Sequence, residues 1–374
     1  MHAVDEFLRR HQVAPGAVAS APGRVNLIGE HLDYNGGLAL PIPLRHRTTV
    51  AVGRRPDGLV SIASLQQDDE VVTPLGGPPV AGWAAYVLGV LETLRNTGLE
   101  VPGTDVVVDG RVPLGSGLSS SAALEVAVAL AAVALTGDPD ALTLDQVVEA
   151  CVRAENDYVG APTGRLDQMA VALSVPGHAL LVDFSDLSHR SVPWDPPGEL
   201  LVVDTRVRHG HAGGEYAVRR SECTQAAARL GVARLVDATP EAVEGLPDPL
   251  RARARHVVTE QGRVRDAVGA LESRDWDRFG ALMLASHESL RDDYAVSCPE
   301  LDLTVAAAMG AGATGARMTG GGFGGAAIVL TPRAREHDVR RAVEREFRDH
   351  GFGAPSFLDG GSGEPARVEV SAAR

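Results

Sequence analysis

The sequence predicts an α/β (α+β) chain built as two domains. Three observations predict this. Short β-branched runs such as "TTVAVGRR" and "TDVVVDGRV" are bounded by glycine or proline. Longer stretches such as "WAAYVLGVLETL" carry apolar residues at helical spacing. The length, 374 residues, exceeds that of one ordinary domain, and the proline-rich "VPWDPPGEL" interrupts it near the middle. That interruption sets the expected division, residues 1–195 and 196–374.

Taken in order, residues 5–10 read as a short helix. Residues 48–55 and 59–64 read as strands joined by a Pro56-Asp57-Gly58 turn. A helix follows from Trp83. A strand over 104–112 then leads directly into "PLGSGLSSSA", residues 113–122. Residues 122–135 are apolar except for Glu125; that run is shorter than the roughly 20 residues a bilayer requires, so it predicts a buried helix. "LTLDQVVEACVRAENDYVG" is an amphipathic helix with Thr143 as N-cap. After "HALLVDF" and the proline break, "LLVVDTRV" resumes as a strand. Helices are expected at 216–230, 251–271 and 281–294. "MTGGGFGGAAIVL", from Met318, is a glycine run feeding a strand.

Composition excludes several chemistries. The chain contains no lysine, so all 35 basic residues counted as Lys+Arg are arginine. A Walker A loop, the protein-kinase lysine and Schiff-base catalysis are therefore impossible. A formal charge of −14 and only 4% aromatics argue against a nucleic-acid partner. Cys151, Cys223 and Cys298 are widely spaced and odd in number, suggesting neither a disulfide framework nor a zinc site. The first residues, "MHAVDEFLRRHQ", carry charges where a signal peptide has an apolar core. The expected setting is cytoplasmic, with no membrane association.

Three stretches carry candidate chemistry. In "PLGSGLSSSA" a strand, a glycine turn and a helix follow one another, which is the layout of an anion site. The first helical N–H groups lack partners, and the dipole adds positive potential there. A tight turn with an N-cap explains the same pattern, although one serine suffices for a cap and three are present. "GGGFGG", residues 320–325, matches GxGxxG literally, but a strand rather than a helix follows it, so a dinucleotide site is rejected. Its glycines suit close backbone approach or a simple turn. In "APGRVNLIGEHLDYNGG" the polar residues Arg24, Asn26, Glu30, His31, Asp33, Tyr34 and Asn35 are of the types that bind a polyol, and the interleaved Val25, Leu27 and Ile28 imply partial burial.

Two carboxylates stand apart. Val147, Cys151 and Glu155 share a helix face, which places Glu155 on an apolar stripe where it needs a metal, an arginine or an escape to solvent. Asp167 opens a short apolar helix, a position that favours an ionised carboxylate and suits a general base or a cap equally.

Together these stretches resemble the galactokinase family of the GHMP small-molecule kinases. "GRVNLIGEHLDYNGG" resembles its sugar motif, "PLGSGLSSSA" its phosphate loop and "MTGGGFGG" its third motif. "WAAYVLGV", "RAENDYVG" and "VRHGHAGGEYAVRR" extend the likeness over most of the chain. The resemblance implies ATP-dependent phosphorylation of the anomeric hydroxyl of α-D-galactose. It implies a ribosomal-protein-S5-domain-2-like N-terminal domain and a ferredoxin-like C-terminal domain, with the site in the cleft between them.

By position it implies Asp167 and Arg24 as the catalytic pair, and Glu30, His31, Asp33, Gly164 and Tyr216 as sugar contacts. Trp83 and the loop residues Pro113, Gly115, Ser116, Gly117, Leu118, Ser119, Ser120, Ser121 and Ala122 are implied to hold ATP, and Ser121 and Glu155 to hold Mg²⁺. The implied partners are galactose and ATP, with the chain a monomer or weak homodimer. Leu32, Ala85 and Arg165 depart from the family pattern, and Arg165 in "TGRLDQ" bears on sugar scope. Other readings of the same residues are a different GHMP sugar kinase or an inactive galactose/ATP sensor.

Overall fold

The computed structural model describes residues 2–161, 163–207 and 212–371, with side chains of the last segment described from residue 214. "VRHGHAGG" therefore lies largely outside the described residues. The strands, in chain order, are β1 (Ala17–Asn26), β2 (Leu38–Ala39), β3 (Pro41–Arg55), β4 (Leu59–Ser64), β5 (Val71–Pro74), β6 (Gly103–Gly110), β7 (His178–Asp183), β8 (Ser188–Pro193), β9 (Glu199–Asp204), β10 (Gly315–Thr319), β11 (Ala326–Thr331), β12 (Ser356–Asp359) and β13 (Arg367–Val370). The helices are α1 (His2–His11), α2 (Ala84–Asn96), α3 (Ser120–Leu135), α4 (Leu144–Arg153), α5 (Leu166–Leu173), α6 (Ala212–Leu230), α7 (Pro240–Glu244), α8 (Leu250–Glu272), α9 (Trp276–Asp292), α10 (Pro299–Gly310) and α11 (Glu336–Asp349).

The first sheet has the order β13-β1-β3-β6-β4-β5 and is antiparallel except for the β4–β6 pair. A four-stranded antiparallel sheet, β10-β11-β9-β12, belongs to the second half of the chain, and β2-β7-β8 form a small third sheet. No helix among the described residues is long and apolar enough to cross a membrane.

Helix α3 is buried from Ala122 to Leu135 and packs on β1 and β3. Beyond its first turn it is apolar on every side except for Glu125, as expected of a central helix. Thr143 caps α4 through a reciprocal capping box with Gln146. α4 does not continue regularly to residue 160: a π-helical turn, Ala154–Val159, follows it and carries Glu155. Such turns occur often at functional positions.

β1 is the main element absent from the sequence reading. All ten of its residues are buried, so it shows no in–out alternation. Its register with β3 shifts between Pro22 and Arg24, and this bulge frees the Arg24 N–H to donate to the Leu118 carbonyl at 3.1 Å. β1 thereby anchors the glycine loop before α3. The largest core runs across both halves of the chain: Val25, Leu27 and Ile28 belong to one apolar cluster with Val257, Val264, Met318 and Ile328. The polar loop after β1 is thus built on a shared core.

Candidate active site

Arg24 leaves β1 almost completely buried. Its Nε and Nη2 donate to Asp167 Oδ1 at 2.9 and 2.5 Å, and Nη1 donates to the Gly117 carbonyl at 2.7 Å. Asp167, in the first turn of α5, receives the Ser119 hydroxyl on its other oxygen at 2.6 Å. Ser119 sits at φ 58°, ψ 47°, a left-handed conformation that non-glycine residues rarely adopt. It occupies the N-cap position of α3 without capping it, because its hydroxyl is turned to Asp167.

The three consecutive serines therefore have three different surroundings. Ser119 binds Asp167, and the Ser121 side chain lies near Glu155, whose carboxylate it favours. Ser120 lines a small cavity with Trp83, Gln66, Leu114 and Leu124. Ser116 turns inward to the Pro113 carbonyl at 2.9 Å, and Leu118 and Ala122 are core residues, so only their backbone can meet a ligand. Leu114, Gly115 and Gly117 are exposed. The third glycine motif presses on this loop: a Cβ at Gly320 would lie 3.1 Å from the Gly117 carbonyl oxygen, and one at Gly325 would lie 3.2 Å from that of Ser116. Close backbone approach is what those glycines provide.

A second cavity, of about 280 Å³, opens beside the Arg24–Asp167 pair and is lined in part by His31, Asp33, Thr163, Gly164, Leu166 and Tyr216. Burial, with the Asp167 charge nearby, pushes the Asp33 carboxyl up to about 6. Gly164 packs directly against Asp33; a Cβ there would fall 1.7 Å from Asp33 Oδ2. His31 has φ 63° and its Nδ1 lies 2.8 Å from the Tyr34 hydroxyl. Burial lowers its imidazole to about 3, so the ring is neutral.

Glu30 also borders this cavity, but the protein occupies its oxygens. Asn26 Nδ2 and Arg317 reach Oε2 at 2.6 and 2.8 Å, and the Gly320 N–H and Thr319 hydroxyl reach Oε1 at 2.8 and 3.2 Å. Arg317, wholly buried in β10, had no signal in the sequence, since a lone arginine in "GARMT" does not announce a partner 287 positions away.

Glu155 is buried rather than on the surface. Its Oε2 accepts from Thr163 at 2.6 Å and from Gln168 Nε2 at 2.7 Å. The same Gln168 nitrogen donates at 2.9 Å to Glu125, a fully buried carboxyl on α3 that the sequence reading noted only as an interruption in an apolar run. Burial, then the neighbouring Glu155, pushes Glu125 well above the usual carboxylate range, and burial raises Glu155. Hydroxyl and carboxylate oxygens of the Ser121–Glu155 kind suit Mg²⁺, which commonly takes one or two protein oxygens and fills its shell with phosphate and water. Among the described residues no three His, Cys, Asp or Glu side chains converge as a dedicated metal cage.

None of the three departures lines the second cavity. Arg165 pairs with Glu149 of α4, Leu32 belongs to the largest apolar cluster, and Ala85 is buried.

Comparison with known proteins agrees with this arrangement. Residues 5–54 match the galactokinase galactose-binding signature, 85–174 the GHMP kinases N terminal domain and 267–349 the GHMP kinases C terminal domain. A galactokinase of Streptomyces coelicolor is 48% identical over 370 residues, 95% of each chain. One from Bos taurus is 43% identical over 91% of this chain and 90% of its own. The crystal structure of Lactococcus lactis galactokinase complexed with galactose superposes with a TM-score of 0.93 at 30% identity, covering 98% of both chains. Mevalonate kinase of Methanococcus jannaschii shares the fold, with a TM-score of 0.67 at 17% identity. By sequence along nearly its whole length and by three-dimensional structure, the chain belongs to the galactokinase family of GHMP kinases.

Proposed function

We propose that this chain transfers the γ-phosphoryl group of ATP to the anomeric hydroxyl of α-D-galactose, giving α-D-galactose 1-phosphate and ADP. The observation that carries the reading is one carboxylate, Asp167, held by Arg24 and Ser119 where the sugar-sized cavity meets the glycine loop. Galactose occupies that cavity against His31, Asp33, Gly164 and Tyr216. Glu30 acts mainly by shaping its wall, since its acceptors are engaged. The nucleotide lies along the loop, with its base near Trp83 and its phosphates at the N-terminus of α3, where free N–H groups and the helix dipole favour negative charge.

Asp167 accepts the anomeric proton or fixes the hydroxyl for in-line attack. Arg24 keeps the carboxylate in place and meets charge growing on the transferred group. Catalysis of this type is mostly positioning and charge stabilisation. Ser121 and Glu155 hold Mg²⁺, which when bound neutralises phosphate charge. The division of the chain falls near residue 195, with β13 returning to the first sheet, and the protein acts in the cytoplasm as a monomer or weak homodimer.

The test pairs substrate choice with one substitution. Phosphorylation of galactose should exceed that of glucose by a large factor, because a C4 hydroxyl pointing the wrong way leaves buried groups unpaired at about 1–3 kcal/mol each. Asp167→Asn should fold and bind galactose yet lose about 10²–10⁴-fold in kcat. Equal kcat/KM for the two sugars, or near-normal kcat in Asp167→Asn, rejects the proposal.

A further inference from the structure

Behind the sugar cavity lies a row of polar groups that the proposed chemistry does not use. The Tyr34 hydroxyl, 2.8 Å from His31 Nδ1, is also 2.8 Å from the Tyr294 hydroxyl, and the Tyr294 hydroxyl is 3.0 Å from Cys223 Sγ. Tyr294 and Cys223 are almost wholly buried, and the His31 ring lies 4.7 Å from that of Tyr294. Asn35 donates to the His31 carbonyl at 2.7 Å and its side chain also favours the Cys223 thiolate, so it lies between the row and the loop that carries His31.

Such a row can be ordered in two senses, and its end selects one. His31 Nε2 is buried and makes no hydrogen bond among the described residues, and the backbone of Gly321, which borders the cavity with His31, favours a proton on the ring, as an accepting carbonyl does. A neutral imidazole carries a single N–H, and burial keeps this ring neutral. If that proton is on Nε2, Nδ1 must accept, and Tyr34 must donate to it. The Tyr34 oxygen then accepts from Tyr294, and the Tyr294 oxygen accepts from the Cys223 thiol. Each group has one proton to give and each gives it in the same direction. Burial raises both phenols and the thiol, so all three keep their protons at neutral pH. The reverse order would put N–H on Nδ1 and turn a bare Nε2 lone pair toward the Gly321 oxygen.

We infer that Tyr34, Tyr294 and Cys223 are positioning residues that lock His31 as its Nε2–H tautomer, fixing a hydrogen-bond donor in the wall of the cavity that His31 lines with Tyr216 and Gly321. The inference deepens the proposed function: the donor would meet a sugar hydroxyl oxygen, and a locked donor removes the need to reorder the ring when sugar enters. Neutral hydroxyl chains of this kind act as a unit, so the effect should fade with distance from the ring.

Nitrogen-15 NMR of labelled full-length protein reads the His31 tautomer directly, and galactose affinity by calorimetry with steady-state kinetics reads its use. In the sugar-free wild type, His31 should be in the Nε2–H form. Tyr34→Phe should give a tautomer mixture, weaken galactose binding about tenfold and leave kcat within about twofold. Tyr294→Phe should do the same to a smaller extent. Cys223→Ser, which keeps a donor at the end of the row, should match wild type, whereas Cys223→Ala should resemble Tyr294→Phe. An Nδ1–H tautomer in the wild type overturns the inference, as does Tyr34→Phe leaving tautomer and affinity unchanged. If Tyr34→Phe does not fold, Tyr294→Phe and the two Cys223 variants decide by the same criteria. Failure of the wild type to bind galactose would refute the proposed substrate instead, while the tautomer measurement would still judge the row.

Discussion

Replacing Arg317 by methionine tests how the cavity wall is held. The Arg317 and Glu30 side chains are 0% and 3% exposed and meet at 2.8 Å, while Arg317 Nη1 also donates to the Asn26 carbonyl at 3.1 Å. Methionine keeps the apolar stem and removes the guanidinium, leaving Glu30 as a buried carboxylate without an ion-pair partner in contact, Arg24 acting on it only from further off. Breaking such a pair from one side costs about 3–5 kcal/mol. Asn26, Thr319 and Gly320 still donate to Glu30, which places the expected loss near the lower limit, about 3 kcal/mol. With an unfolding entropy of about 2.1 cal/mol/K per residue, a chain this long has about 0.8 kcal/mol/K, so Tm should fall by about 4 °C.

The loss should also depend on pH in a definite direction. Burial already pushes the Glu30 carboxyl up, with the Arg317 charge as the main opposing influence. Without Arg317 the folded state holds a proton on Glu30 that the unfolded state releases above its ordinary carboxyl range. The variant therefore loses stability as pH rises, and urea unfolding should show a larger deficit at about pH 8 than at about pH 5. Glu30→Gln added to Arg317→Met should remove that pH dependence. A deficit below about 1 kcal/mol that is the same at both pH values would refute the reasoning.

Gly164→Ala should destabilise the fold by about 1–3 kcal/mol and abolish tight galactose binding, because the new Cβ falls on the Asp33 carboxylate; adding Asp33→Gly should restore stability but not binding, and calorimetry that finds the single variant unchanged would show the contact to be slack. Asp33→Asn should stabilise the sugar-free protein near neutrality. The folded carboxyl sits at about 6 against an ordinary 3.8, so the folded state binds the extra proton between those values and its stability falls as pH rises through them. The amide removes that penalty, a gain on the order of 1–3 kcal/mol at about pH 7.5 that vanishes by about pH 4; a constant difference between the two unfolding curves would contradict the assignment.

Much of this architecture was legible in the sequence because it rests on local chemistry. Thr143 and Gln146 announce a capping box within four residues, and the glycines at 115, 117, 320 and 325 occupy left-handed backbone that few other residues tolerate. Glu155 was recognisable from its spacing with Val147 and Cys151, although the π-helical turn that carries it was not. β1 escaped because burial on both sides removes the alternation by which strands are read, and the side chain of its Arg24 is satisfied only by distant partners. Arg317 and Glu125 escaped for a related reason: a buried charge is defined by what faces it, and Glu30 and Gln168 face them from other parts of the chain. Helix α10, with proline at its start and Glu300 and Asp302 in its first turn, carries an ordinary N-terminal signal in the sequence.

The strand that completes the first sheet comes from the far end of the chain. Arg367, Val368 and Val370 pair with Ser20, Ala19 and Val18, and Glu369 accepts the Ser20 hydroxyl at 2.6 Å. During synthesis, then, the strand that carries Arg24 waits for its outer neighbour while roughly 350 further residues are added, some 20–70 s at about 5–20 residues per second. For that interval its backbone N–H and C=O groups form an open sheet edge, the kind of surface on which a second nascent chain can dock. The order of appearance at the ribosome thus leaves the edge of β1 open to misassembly until residues 367–370 close it.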